Sequence, residues 1–305
     1  MPVTPAYKNI LIIADIEGSS GCRSYEASRF LTKKWAHACK MLSEDIAAAV
    51  KALFDKGVQH VTVKDFHRTG FNILPELIDP RACIKSGYYE GPVPGMGNPE
   101  GADAAMFIGL HAASGTEGFL PHTLTSRIER IEINGRVLTE FELFASSLAP
   151  YGITPVFFSG CPIACSQAGE IAKNITTCEI DKSGRVEDFD VLNWRKALAG
   201  KVAESLTNTS CEFRILEGPF EVFMTMREGK KEAERLSKRW NIPHRGRILF
   251  FEADDIQAVY MQLIKICYLT PFAYKFLKRG LFLYNLYGRM GLEYVRWVIK
   301  NNKAS

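Results

Sequence analysis

The sequence predicts an α/β protein: a parallel-sheet, Rossmann-like core in three layers, with a second α+β subdomain beside it. Three observations carry this. Lys8 to Ala14 reads Lys-Asn-Ile-Leu-Ile-Ile-Ala, an apolar run without alternation, as expected of a strand covered on both faces. Trp35 to Phe54 carries apolar residues at helical spacing and runs into Asp-Lys-Gly, with Gly57 placed as a carboxyl-terminal cap. Val61 to Lys64 then supplies a second short strand, and the three segments make a β-α-β unit.

The later elements follow in order. Residues 75–101 are rich in Gly and Pro and predict a loop. Ala104 to Leu110 is a third buried strand that runs directly into His111. Ile128–Ile133 and Arg136–Leu138 flank Asn134-Gly135, a pair that tolerates the positive φ angles of a hairpin turn. Glu140 to Leu148 predicts a helix, Thr154 to Ser159 a fourth buried strand ending in Gly-Cys-Pro, Phe213 to Arg227 further strands, and Glu232 to Trp240 a charged helix. The division expected from this order is residues 1–80 and about 150–205 for the α/β core, about 81–149 and 206–269 for the second subdomain, and 270–305 for a tail.

Composition narrows the partners. With 305 residues, 47% of them hydrophobic and 24% charged, the chain can bury a substantial core. The formal charge of +4 is mild and its Lys and Arg residues are scattered, which argues against nucleic acid as a partner. The start, Met-Pro-Val-Thr-Pro-Ala-Tyr-Lys, lacks an apolar stretch followed by a cleavage site, so a cytoplasmic location is expected. Eight cysteines without a disulfide spacing or a Cys-x-x-Cys read as reduced, buried apolar residues. Residues 270–305 hold seven Lys or Arg against one Glu, interleaved with Tyr, Phe, Leu and Trp297. That tail is expected to be helical and to pack on its own domain or a neighbouring subunit; an anionic membrane surface or another partner are the alternatives.

Three of the apolar strands end in residues able to bind metal: Asp15 and Glu17 after the first, His67 after the second, His111 after the third. In open α/β sheets the site lies outside the carboxyl ends of the strands, so residues distant in sequence can converge there. Asp15 and Glu17 would share one face if the strand conformation persisted, with Ile16 on the other. Two carboxylates that close raise each other's pKa unless a cation lies between them. A pair of divalent ions roughly 3.5 to 4 Å apart, bridged by a shared carboxylate, removes that conflict. A mixed imidazole and carboxylate set suits zinc better than magnesium. Taken singly, Asp15 and Glu17 also suit helix caps or loop solvation, and His67 and His111 also suit structural histidines. His67, His111 and His122 nonetheless all fall in strand-end or Gly/Ser/Thr-rich loops, where function concentrates.

Taken together, Asp15-Ile-Glu-Gly-Ser-Ser-Gly21, Asp65-Phe-His67, Ile108-Gly-Leu-His-Ala112 with Pro121-His-Thr123, and Ile133-Asn-Gly135 through Glu140 resemble the zinc D-aminopeptidases of peptidase family M55. The likeness runs from about residue 8 to residue 268. It implies two zinc ions per chain, with Asp15 and Glu17 as a ligand pair in which Asp15 bridges, His67 and His111 as histidine ligands, and Glu140 as the last carboxylate. Glu142 competes with Glu140 on spacing, and without the resemblance Glu140 reads as an exposed residue in the first turn of a helix. His122 matches a histidine that acts in catalysis without binding metal, as a proton donor to the leaving amine or a stabiliser of the oxyanion. The resemblance further implies hydrolysis of N-terminal residues from short, D-amino-acid-containing peptides, and a ring-like homo-oligomer. Phe66, Arg68 and Cys161 depart from the family's usual residues, which bears on substrate choice. Arg68 reads either as a partner for a substrate carboxylate or as a solvated surface arginine. Cys161 and Cys165, four apart with no matching histidine, are not expected to bind metal. Two rival functions stay open at this point: a dinuclear metallohydrolase of another amide or ester, phosphoesters included, and a non-catalytic peptide-binding or transport-associated protein.

Overall fold

Branched apolar side chains on both faces put β1 (Asn9–Ala14) in the interior of a sheet: Ile10, Ile12 and Ala14 face one core, Leu11 and Ile13 the other. The computed structural model describes residues 5–302 apart from 100 and 185–187, so residues 1–4 of the amino-terminal stretch and 303–305 of the tail lie outside the described residues. After β1 come α1 (Lys33–Asp55), β2 (His60–Asp65), β3 (Cys83–Lys85), β4 (Ala104–Leu110), β5 (Ile128–Ile133), β6 (Arg136–Val137) and α2 (Glu140–Leu148). Next are β7 (Thr154–Gly160), α3 (Pro162–Ile171), β8 (Ala172–Lys173), β9 (Thr176–Glu179) and α4 (Val191–Ser205). The chain finishes with β10 (Glu212–Phe213), β11 (Phe220–Met226), α5 (Lys230–Trp240), β12 (His244–Arg245), β13 (Ile248–Ala253), α6 (Ile256–Tyr268), α7 (Pro271–Lys275) and α8 (Leu277–Asn302).

The fold is the α/β class expected. Six strands in the order β3-β2-β1-β4-β7-β9, all parallel, form the central sheet. Helices α1, α4 and α8 cover one face, while α2, α3 and α6 share the core on the other face with an antiparallel sheet of order β12-β13-β11-β5-β6. The hairpin of β5 and β6 turns at Asn134 and Gly135, whose φ angles of 49° and 77° are those a tight two-residue turn requires.

One boundary differs from the sequence reading. Residues 81–149 do not all join the second subdomain, because β3 and β4 pair into the parallel sheet. The reason is burial: every residue of β4 is buried, and it lies between β1 and β7 at the middle of the sheet. The Gly/Pro-rich stretch before it is therefore a crossover with a short edge strand inside it.

The strand ends are drawn together by backbone contact. Asp15 N–H donates to Ile108 O at 3.0 Å and Gly18 N–H to Gly109 O at 2.7 Å. Gly109 has φ +81°, and a Cβ there would lie 2.2 Å from Asp15 O; a Cβ on Gly18 would lie 2.2 Å from Leu110 O. Only glycines allow the two main chains to cross this closely. Helix α8 buries Leu292, Val295 and Val298 in the core shared with α1, and its Asn285 side chain bonds both Tyr88 N and Tyr88 O, at 2.8 and 2.9 Å. Among the described residues no helix is long and apolar enough to cross a membrane.

Gly109→Ala should therefore cost on the order of 2–4 kcal/mol, combining a disfavoured φ with forced separation of the two strand ends. Urea unfolding of the purified variant measures it, and an unchanged midpoint would show that the crossing tolerates a side chain.

Candidate metal centre

Five buried polar side chains meet at the carboxyl ends of β1, β2 and β4. Asp15, Glu17, His67 and His111 are each at most 5% exposed and Glu140 is 8% exposed. His67 Nδ1 lies 3.1 Å from Asp15 Oδ1 and 3.0 Å from Glu17 Oε2, while His111 Nε2 lies 3.2 Å from Asp15 Oδ2 and 3.6 Å from Glu140 Oε1. The two oxygens of Asp15 thus face two different imidazoles. Strand geometry does not persist past Ala14, since a turn closes from Ser19 N to Ile16 O, yet Asp15 and Glu17 still converge and Ile16 packs into the opposite core.

Glu140 is the first residue of α2, placed by Thr139, whose hydroxyl caps the helix by accepting from Glu142 N at 2.9 Å. Its Oε1 accepts from Leu124 N at 2.6 Å. It is buried, not exposed. Glu142, two residues further along the helix, instead pairs with Arg136 and lies 3.6 Å from Arg214, away from the cluster. His122 stacks on His111 with ring centroids 3.7 Å apart and planes at 13°. Ligand atoms of His111, His122 and Glu140 lie within 4.8 Å of one another, as do those of Asp15, Glu17 and His111.

The imidazole tautomers decide what this cluster lacks. A backbone carbonyl only accepts, so the ring nitrogen facing one must carry the proton. His67 Nε2 faces Ser28 O at 2.8 Å, His111 Nδ1 faces Ala112 O at 3.1 Å, and His122 Nδ1 faces Leu120 O at 2.9 Å. In the neutral ring the other nitrogen is then a lone pair, and in His67 and His111 that nitrogen points at carboxylates. Glu17 Oε2 and His111 Nε2 are buried without a hydrogen bond. Lone pairs facing one another in a buried site require a cation between them. The alternative is protons in its place: burial works against a charged imidazole, but the facing carboxylates outweigh it, holding His67 well above its ordinary range and His111 at about 10. Burial alone would raise the Asp15 carboxyl, yet the facing His111 and His67 rings hold it well below the usual carboxylate range. The donor set of imidazole nitrogens and carboxylate oxygens fits a borderline divalent ion such as zinc.

A second set of residues aims the first. Asp65 accepts from His67 N at 3.0 Å and from the Asn72 side-chain amide, which also donates to His67 O at 2.6 Å; Trp35 Nε1 closes the set on Asn72 Oδ1 at 2.8 Å. Asp45 accepts from Ser20 N at 2.8 Å, Ser20 Oγ at 2.7 Å and Arg195 Nε at 2.7 Å, and Lys182 Nζ donates to Ser19 O and to Cys22 O, fixing the loop after Glu17. No sequence pattern marks Ser28, Asp45, Arg195 and Lys182, whose contacts reach residues 25 or more positions away, or Asn72, whose side chain folds back on Asp65 and His67. Asp65, next to His67, was the one signal within reach.

Of the residues marked for substrate choice, Phe66 packs on Phe144 at 4.7 Å and Tyr88 at 6.0 Å, Arg68 is exposed and donates to Ser28 O at 2.9 Å, and Cys161 is buried. All eight cysteines are free, and burial pushes the Cys165 thiol up to about 12, which makes it a poor nucleophile.

The sequence model of the D-aminopeptidase family, peptidase M55, matches residues 9–263. A D-aminopeptidase of Bacillus subtilis (strain 168) is 29% identical over 196 residues, which span 62% of this chain and 66% of that protein, just under two thirds of its length. The solved structure of the Zn-dependent D-aminopeptidase DppA from Bacillus subtilis, described as a self-compartmentalizing protease, matches 85% of this chain and 97% of its own, with a TM-score of 0.77 at 21% identity. The family match covers most of the chain and every residue of the buried cluster, and the chain belongs to the M55 D-aminopeptidase family.

Proposed function

We propose that the chain is a dinuclear zinc aminopeptidase that removes N-terminal residues from short peptides, those containing D-amino acids in particular. The observation that carries this is the placement of the rings: two imidazoles, each with one nitrogen facing a backbone carbonyl, turn their other nitrogen to buried carboxylates. Asp15, Glu17 and His67 would hold one ion, and Asp15, His111 and Glu140 the other, with Asp15 shared because its two oxygens face the two halves. Family membership supports the peptidase chemistry and the preference for D-residues.

Two zinc ions so held would supply Lewis acidity, polarising a carbonyl and lowering the pKa of a water from about 15.7 toward about 7. The chain's own residues do the rest. His122 is half-buried, it lies against His111, and its Nδ1–H is committed to Leu120 O. Its Nε2 is then the exchangeable position: it takes up the proton released by the attacking water and hands it on to the leaving amine. The carbonyl bonds to His67 and His111 keep those rings from rotating and fix which nitrogen faces the site.

The relative's description as self-compartmentalizing supports a homo-oligomer for this chain too; we take it to be ring-like in form and cytoplasmic in location. Hydrolysis of another amide or ester is the nearest alternative, and release of D-Ala from D-Ala-D-Ala against cleavage of a phosphate ester separates the two. A non-catalytic peptide binder would keep binding after chelation and in His122→Ala.

Metal analysis should find about two zinc per chain in the wild type. Asp15→Ala should lose nearly all of it, Glu140→Ala should lose one, and Glu142→Ala should lose none. Zinc retained in full by Asp15→Ala would mean the ions lie elsewhere. His122→Ala should keep its zinc while kcat on D-Ala-D-Ala falls by roughly 10²–10⁴. Turnover at wild-type rate in that variant would remove His122 from the reaction.

A further inference from the structure

Helix α8 is apolar on two opposite sides. The inner side, Leu292, Val295 and Val298, is buried in the core shared with α1. The outer side carries Phe282, Leu283, Leu286, Met290 and Trp297, which are 69%, 63%, 48%, 65% and 59% exposed. Positions 282, 286, 290 and 297 fall on one stripe at helical spacing. In α7, Phe272 adds an aromatic ring 75% exposed. An apolar surface of this extent on an otherwise ordinary exterior marks a contact site.

Charge says what makes the contact. Lys275, Arg279, Arg289 and Lys300 flank or interrupt the stripe, and among the described residues no carboxylate lies within ion-pair distance of any of them. The one acidic residue of the segment, Glu293, is paired with Arg296, which also bonds Glu76 at 2.9 Å through two nitrogens. A second copy of this face would bring the same cations against one another. Both helices also lie beyond residues 9–263, the part matched by the family model.

We propose that the outer face of α7 and α8 docks on an anionic lipid bilayer, with α8 lying in the plane of the headgroups. The aromatic and aliphatic stripe enters the acyl boundary, the flanking Lys and Arg meet lipid phosphates, and Trp297 sits at the interface. The helix cannot span the bilayer. The inner face stays on α1, so docking requires no unfolding. This surface is independent of the metal centre's chemistry.

The test uses the full chain with sedimented vesicles of phosphatidylcholine alone or with roughly three parts in ten phosphatidylglycerol. Binding should be at least about tenfold stronger to the anionic vesicles and should weaken as salt is raised. Arg279→Glu with Arg289→Glu should weaken it by about fivefold or more per position. Phe282→Ser with Met290→Ser should abolish it while zinc content, circular dichroism and turnover stay at wild type. A blue shift of tryptophan emission on binding should disappear in Trp297→Phe. Equal binding to neutral vesicles, or binding that survives both double variants, overturns the proposal. So does a lack of vesicle binding together with self-association that Phe282→Ser with Met290→Ser disrupts, since a second copy would then cover the face.

Discussion

Everything around the carboxyl ends of β1, β2 and β4 answers to one electrostatic constraint: the pocket holds too little positive charge. Asp15, Glu17 and Glu140 are buried together, and the two imidazoles beside them are tied to carbonyls through their other nitrogens. Buried carboxylates without a counter-charge are among the most costly features a fold can contain. The pocket therefore exists only in partnership with a cation or with protons in its place, and the surrounding structure is arranged to hold it open.

That arrangement is mostly backbone. Gly18 and Gly109 let the end of β1 press on the end of β4, the Asp65 and Asn72 pair shapes the turn that presents His67, and Thr139 starts α2 at the residue that turns Glu140 inward. Asp65 and Asp45 are raised by burial, and both are answered by directed hydrogen bonds rather than by solvent. The five clustered side chains are in this way aimed by neighbours that stand outside the cluster.

Much of this was legible in the chain. Continuous apolar runs at 8–14 and 104–110 marked strands covered on both faces, and each ended in a metal-capable residue, so the convergence of Asp15, His67 and His111 followed from sheet topology. Glu140 was not legible from pattern. In sequence it is an acidic residue at a helix start, where an exposed carboxylate is equally at home, and only the fold shows Leu124 N and His111 enclosing it. The place of β3 and β4 was misjudged because a Gly/Pro-rich crossover looks the same whether it leads out of a sheet or back into it. Helix α4 went unread: it turns little more than Trp194, Leu198 and Val202 inward, a narrow stripe in a polar segment. The supporting contacts of Ser28, Asp45 and Arg195 span gaps that no local pattern encodes.

The crossing of Gly18 and Gly109 has a consequence for how the protein can change over generations. Because the two strand ends meet through main-chain atoms, the gap between the pocket's two halves is set by peptide geometry and not by the size of any side chain. Residues in the layers outside it can be exchanged one after another while that gap holds. The solved relative keeps the fold at 21% identity.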